Sequence, residues 1–409
     1  MAQTLKFGNG TWATKEGSTL AYNDENEKYK PLPFSFERDS IATRVNKEGL
    51  IEVVGNDIPR IDYKDSADGV LLLEPSRSNI NTYSDPTDAQ KGNLSYASVT
   101  YQDDFNWGLG NVIKNAIVFG DNSTTRYAYY NSTVVSGTEY TLSVIVKMDD
   151  NSVPIPATDF LFVLSASAIS SGYNVESYGN NIYRVSVSAT SSTNLTANGI
   201  LKAASNSTKG FTISAFQIEQ GSYATSYIPT SGSTVQRAAE TANGSGNSEV
   251  FNDSEGVLFA DVNIDANDGN FRFLSLSDGS STNAVWIYYR SDANQINFRV
   301  IVGGVSSFDQ IYTINDATLN TKLLLKYKEN NFSAWVNGFE VLTDNSGSTF
   351  SNNVLNNLEF NRPDGVNNFY GKTKEIGYYD TALTDAELEK LTSYRSLSEL
   401  VTELNLNTL

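Results

Sequence analysis

The sequence predicts an all-β protein: a β-rich N-terminal region, two antiparallel β-sandwiches and a short C-terminal helix. Two observations predict the strands. Short apolar strings alternate strictly, as where Tyr140, Leu142, Val144 and Val146 face one way and Thr141, Ser143, Ile145 and Lys147 the other. Clusters of Asn, Asp, Gly and Ser break these strings at the spacing of antiparallel turns. A third observation separates this from disorder: 11% of the chain is aromatic and only 19% charged, so there is enough apolar surface to bury.

Residues 1–80 open with Leu5, Phe7 and Trp12 around a Gly-Asn-Gly turn, which reads as a hairpin. An acidic polar loop, Tyr22 to Lys30, follows. Short strands are expected at Ile41–Val45, Leu50–Val54 and Val70–Leu73, punctuated by Gly49, Gly55 and Gly69. Two arginines stand out here, Arg44 and Arg77. One reading is contact with a partner protein. The other is an internal clamp on irregular chain, with Asp39, Asp62 or Glu74 as the carboxylate.

Residues 81–232 carry further strands at Val134–Asp150, Phe160–Ser167, Asn181–Thr190 and Gly210–Gln220. The last of these enters FQIEQGSYATSYIPTSGSTVQRAAET, Phe216 to Thr241, where Gly221 stops the strand and Pro229 forbids further ladder pairing. A candidate ligand surface lies in SYASVTYQDDFNWGLGN, Ser95 to Asn111. There Tyr101, Phe105 and Trp107 interleave with Asp103, Asp104 and Asn106, offering aromatic faces beside hydrogen-bond acceptors, the chemistry that suits a sugar. The alternative is that Phe105 and Trp107 plug the core. Tyr127, Tyr129 and Tyr130 form a second aromatic cluster, expected on the same sheet. Residues 233–248 are rich in small residues and read as a linker.

Residues 249–409 hold the second sandwich. Leu323–Lys328 and Phe332–Val336 alternate around Glu-Asn-Asn, and Asn337-Gly338 predicts a type I′ turn into Phe339. Thr384 and Glu387 have capping-box spacing ahead of Leu388, Leu391 and Tyr394. Ser396 and Glu399 repeat it ahead of Leu397, Leu400, Val401 and Leu404. This apolar face either packs on the sandwich or forms a seam between subunits.

Composition removes several function classes. The net charge of −18 argues against nucleic acid as a partner. With no cysteine and no histidine, disulfides, thiolate or imidazole metal sites and His-based catalysis are excluded. Paired carboxylates could still hydrolyse a glycoside. The nearest grouping, Glu249, Asp253 and Glu255, precedes the first strand of its sandwich rather than alternating along it. Asn263 to Asn270, NIDANDGN, is oxygen-rich enough to suggest structural calcium, but it lacks a closing Glu and reads better as a turn. No cofactor is expected. No apolar run approaches the ~18 residues of a membrane span, and MAQTLKFGNGTWATKEG contains no secretory apolar stretch.

Ordered phrases in the N-terminal region carry a resemblance. Ala42–Asn46, Gly49–Glu52, Asn56 with Pro59–Arg60 and Asp62–Tyr63, and Leu73–Asn79 resemble a passage shared by bacteriophage tail, fibre and capsid-decoration proteins. Gly137–Lys147 and Tyr183–Val187 resemble a carbohydrate-binding-module jelly roll. The Val336-Asn337-Gly338 hairpin resembles a strand pair of concanavalin and laminin-G lectin sandwiches, and Ile376–Leu391 resembles the closing segment of that fold. The resemblance implies a non-enzymatic virion protein, assembled in the host cytoplasm. Residues 1–80 would dock it to other virion proteins, and its lectin-like domains would attach to host-surface glycan through Trp107, Tyr101 and their neighbours. It also implies a homo-oligomer, by fibre analogy a trimer. The alternatives are a virion polysaccharide depolymerase and a bacterial surface adhesin.

Overall fold

Alternating sequence becomes strand, and strand becomes sandwich, in the computed structural model, which describes residues 4–20, 31–121, 125–203 and 209–403. The Tyr22–Lys30 loop and Leu404 lie outside these residues. The chain forms two units. One comprises Met1–Asp39, Asn56–Pro75 and Ala239–Leu409, the other Ser40–Gly55 and Ser76–Ala238.

In the second unit, a six-stranded antiparallel sheet runs in the order Thr100–Gln102, Ala116–Phe119, Phe211–Gln220, Glu139–Met148, Ile182–Thr190, Tyr173–Ser177. A five-stranded sheet runs Leu94–Ala97, Arg126–Asn131, Ala197–Lys202, Leu161–Leu164, Ser167–Ile169. Leu142, Val144, Val146, Phe162, Ile200, Phe211 and Phe216 form the core of this unit. The other face of Glu139–Met148 is also buried, although it carries Thr141 and Ser143. Thr141 Oγ1 bonds the Gly221 carbonyl at 2.8 Å, and Arg184 donates to Ser143 Oγ at 2.9 Å, so no polar atom there is stranded. Ile145 on the same face joins a smaller core with Val45, Ile51, Trp107, Ile113 and Tyr227.

In the first unit, an eight-stranded sheet centres on Glu255–Ile264, which pairs with Thr321–Lys328 on one side and Gly371–Tyr379 on the other. A five-stranded sheet runs Val305–Thr313, Gln295–Val302, Ala284–Tyr289, Arg272–Ser277, Asn357–Glu359. The expected hairpin is present: Val336 pairs with Phe339, and Asn337 and Gly338 take positive φ of 48° and 91°, as a type I′ turn requires. The helix Asp385–Thr392 begins where expected, with the Thr384 amide donating to Glu387 Oε2 at 2.9 Å. Leu388 is buried beside Phe259, Leu324 and Trp335. The following helix, Leu397–Glu403, leaves Leu397 71% exposed and Leu400 partly covered.

Two expected boundaries are corrected. Residues 1–80 are not a separate body. Leu5–Gly8 and Val70–Leu73 pair with Gly371–Tyr379, whereas Ala42–Val45 and Ile51–Val54 form a hairpin of the other unit. Residues 233–248 are not a linker either. Val235–Arg237 pairs with Arg77–Asn79, and Thr241–Asn243 pairs with Phe34–Glu37. Antiparallel pairing across such separations has no local sequence signature, because each partner strand reads only as a short alternating string.

The "linker" also supplies Glu240, which is fully buried and accepts from Arg38 Nη1 at 2.8 Å and from Arg60 Nε at 2.8 Å. Arg60 Nη2 also reaches Glu74 Oε2 at 2.8 Å. These four charges form a sealed network that fixes irregular chain within the first unit.

Candidate functional site

Trp107 is 2% exposed, and its ring is within the small core beside Val45 and Ile51. Its Nε1 donates to the Asn115 carbonyl at 3.0 Å, and Phe105 packs against it at a centroid distance of 4.8 Å. Trp107 therefore presents no face on which a sugar could stack, which corrects its expected role. The hairpin from residues 42–54 covers it: Ile51 donates its amide to the Leu109 carbonyl at 2.8 Å. Tyr101 and Phe105 are half-buried, packed against the large and small cores respectively.

The polar members of that stretch are exposed but serve the loop. Asp103 Oδ1 accepts the Asp88 amide at 2.7 Å, and Asn106 Oδ1 accepts the Gly108 amide at 2.9 Å. Asp104 occupies a left-handed turn position, φ 54°. Nor do the other tyrosines join Tyr101 on one sheet. Tyr101 lies on the six-stranded sheet, and Tyr127, Tyr129 and Tyr130 on the five-stranded one. Tyr130 points into the core and stacks on Phe216 at 4.2 Å, while Tyr127 and Tyr129 stack on each other at 4.7 Å and stay half-exposed.

Two polar cavities open in the same unit. One, of about 290 Å³, is lined by Asp85, Thr87, Gln90, Asn115, Tyr227 and Ser231, among others. Its carboxylate is already engaged: Asp85 accepts the amides of Lys114 (2.8 Å) and Asn115 (2.9 Å) and the Ser214 hydroxyl (2.6 Å). Burial nevertheless pushes the Asp85 carboxyl above its ordinary range. This cavity is a structural joint.

The other cavity, about 520 Å³, is lined by Ser76, Arg77, Ser78, Ile80, Thr133, Tyr140, Gln220, Gly221 and Gln236. That volume suits a small organic ligand. Here some of the polar side chains are not engaged. The exposed Gln220 and Gln236 side chains make no hydrogen bond to the protein. Arg77 lies with its guanidinium 5.3 Å from the Tyr223 ring centroid, and its Nη1 donates to the Ser76 carbonyl at 3.2 Å. Its Nε is buried and 3.9 Å from Glu219 Oε2, an ion pair too long for a hydrogen bond. Gly221, at φ 139°, makes room for the guanidinium, since a Cβ there would sit 2.9 Å from Nη2.

Of the expected clamp partners, Asp39, Asp62 and Glu74, none pairs with Arg77, whose partner is Glu219, or with Arg44, which bonds Glu52 at 2.7 Å. Gln220 and Gln236 escaped the sequence reading. The cavity gathers residues from four separated segments, and only the pairing of Arg77–Asn79 with Val235–Arg237, next to Phe211–Gln220, brings them together.

Two of the three carboxylates considered for catalysis have structural partners, and the third, Glu249, is exposed. Asp253 accepts the amides of Val354 and Leu355, and Glu255 pairs with Lys328 at 2.6 Å. In the Asn263–Asn270 turn, Asp268 bonds Arg272 at 2.8 Å. Among the described residues no group of three or more acidic side chains is placed to hold a metal.

No protein-family model matches the chain, and no curated protein does. Among solved structures it is similar to the Ruminococcus gnavus IT-sialidase CBM40 bound to α2,3-sialyllactose, at 17% identity over 37% of this chain and 94% of that one, with a TM-score of 0.31. It is also similar to the leech intramolecular trans-sialidase, at 17% identity over 38% of this chain and 26% of that one, TM-score 0.30. A third similarity is to the heptameric SAP-like pentraxin of Limulus polyphemus, at 13% identity over 35% of this chain and 71% of that one, TM-score 0.27. Each similarity covers less than half of this chain.

Proposed function

We propose that this protein is a non-catalytic glycan-binding component of a bacteriophage particle. The observation that carries the glycan reading is the 520 Å³ cavity, where Gln220, Gln236, Ser78 and Thr133 bring amide and hydroxyl groups that no protein atom satisfies. Sugar hydroxyls both donate and accept, so they complement such a set. The largely buried Tyr140 and the partly exposed Ile80 line the cavity and supply apolar contact. Sheet strands on a packed core hold these groups, which limits the ordering cost of binding. With few charge-assisted contacts, single-site affinity is on the order of millimolar, and many copies on one particle would compensate through effective concentration.

The phage assignment rests on the N-terminal phrases from Ala42 to Asn79. At the start of that region and within it, Ile41 and Val53 are 47% and 46% exposed, an apolar patch suited to contact with another virion protein. Trimerisation through Leu397 and Leu400 belongs to the same proposal. Particle adsorption to immobilised host glycan tests the reading. Gln220→Ala with Gln236→Ala should abolish adsorption while leaving the unfolding transition in place. Unchanged adsorption by the folded double variant would overturn the site, and absence of the protein from purified particles would overturn the virion assignment.

A further inference from the structure

The last helix of the chain is fastened by charge rather than by core. We infer that Leu397–Glu403 is a releasable arm of the first unit, latched shut by the ion pair of Glu399 with Lys322. Neither the glycan reading nor the virion reading is needed for it.

The two C-terminal helices are held in different ways. Asp385–Thr392 buries Leu388 among Phe259, Leu324, Trp335 and Leu383, so apolar contact anchors it. Leu397–Glu403 has no such anchor among the described residues. Leu397 is exposed, Leu400 and Val401 are only partly covered, and none of the three joins a buried cluster of the unit. Seven residues are also too few for a helix to persist by itself, since isolated helices below ~12–15 residues are marginal in water. The position of this helix on the sandwich therefore depends on what it grips.

It grips Lys322, on the strand Thr321–Lys328. Lys322 Nζ donates to Glu399 Oε1 at 2.7 Å and to the Ser393 carbonyl at 3.1 Å, and lies 5.2 Å from the Tyr394 ring centroid. The two side chains of the pair are 3% and 16% exposed, so both charges are largely out of water. A buried ammonium is unfavourable unless an anion meets it, and among the described residues Glu399 is the ion-pair partner of Lys322. Glu399 Oε2 also accepts the Arg395 amide, and the Glu399 amide donates to Ser396 Oγ at 3.0 Å. One residue thus starts the helix and fastens it, so parting the pair removes the anchor and loosens the cap together. Closed, the arm lends Leu397 and Leu400 to the lining of a groove of about 450 Å³ that Gly338 and Phe339 also line. Open, that lining is lost, and Leu397, Leu400 and Val401 are free to pack elsewhere.

Hydrogen exchange of the full-length protein, read by mass spectrometry, tests the latch. In the wild type the amides of Leu400, Val401 and Thr402 should exchange at least about tenfold more slowly than in an unstructured peptide. Lys322→Met keeps the apolar stem and the arm's own sequence but removes the charge. It should bring those amides to the unstructured rate while the strand Glu255–Ile264 keeps its protection. Glu399→Gln changes only the arm and should do the same; it keeps the question answerable where Lys322→Met fails to fold. Val401→Ala removes apolar contact without weakening the helix and should leave the arm protected. An arm that is unprotected in the wild type, that stays protected in a folded latch variant, or that Val401→Ala releases as fully as Glu399→Gln does, overturns the inference.

Discussion

Replacing Trp107 with alanine decides whether the aromatic stretch is core or binding surface. The indole is 2% exposed and fills the space between the hairpin of residues 42–54 and the sheet carrying Ile145 and Ala215. Truncation removes the buried ring and leaves a cavity that Val45, Ile51 and Leu109 can only partly close. Large aromatic deletions of this kind cost about 3–5 kcal/mol. The lost bond from Nε1 to the Asn115 carbonyl adds about 1 kcal/mol, because that carbonyl stays buried. For a unit of this size each kcal/mol moves the midpoint by about 2–4 °C, so the melting temperature of the second unit should fall by roughly 8–24 °C. Differential scanning calorimetry reads the shift. Trp107→Phe should recover most of the loss, since it restores ring volume without the donor. A shift of less than about 1 kcal/mol with loss of glycan adsorption would refute the reasoning and restore Trp107 as a contact residue.

Two further predictions concern the first unit. Glu240→Ala leaves the Arg38 and Arg60 guanidinium groups buried with Glu74 as the remaining carboxylate of the network, and should cost about 3–5 kcal/mol in urea unfolding; a loss under 1 kcal/mol would show that the network relaxes or admits water. The half-buried Asp265 has a sealed Oδ2 without a hydrogen-bond partner, and burial pushes its carboxyl up to about 6 from 3.8. Because the folded state holds this proton more tightly than the unfolded state, the contribution is present at acid pH and is lost as pH rises from about 4 to about 6. The total is on the order of 3 kcal/mol. Asp265→Asn should remove that slope, and parallel stability profiles for variant and wild type would contradict the assignment.

The Gly221 position links the sequence stretch to the cavity. Phe216–Gly221 announces the end of a strand by its alternation and its glycine. Nothing in it announces that the glycine's missing side chain accommodates an arginine far upstream.

Local chemistry determined what short-range rules govern. Alternation set the strands, Asn337-Gly338 set a hairpin, and Thr384 with Glu387 set a helix start, because each depends on neighbours a few residues apart. The absence of histidine and cysteine determined equally well which chemistries could not occur. Tertiary structure alone decided the rest. Trp107 became core because a hairpin from residues 42–54 covers it, and Glu240 became the centre of a charge network because its strand neighbours pair with residues near 35 and 78. The cavity formed because Arg77 and Arg237 met in register beside Glu219. A strand's alternation states which residues share a face, but its partner is selected by the free energy of the whole sheet, so burial and site formation are properties of the pairing and not of any single segment.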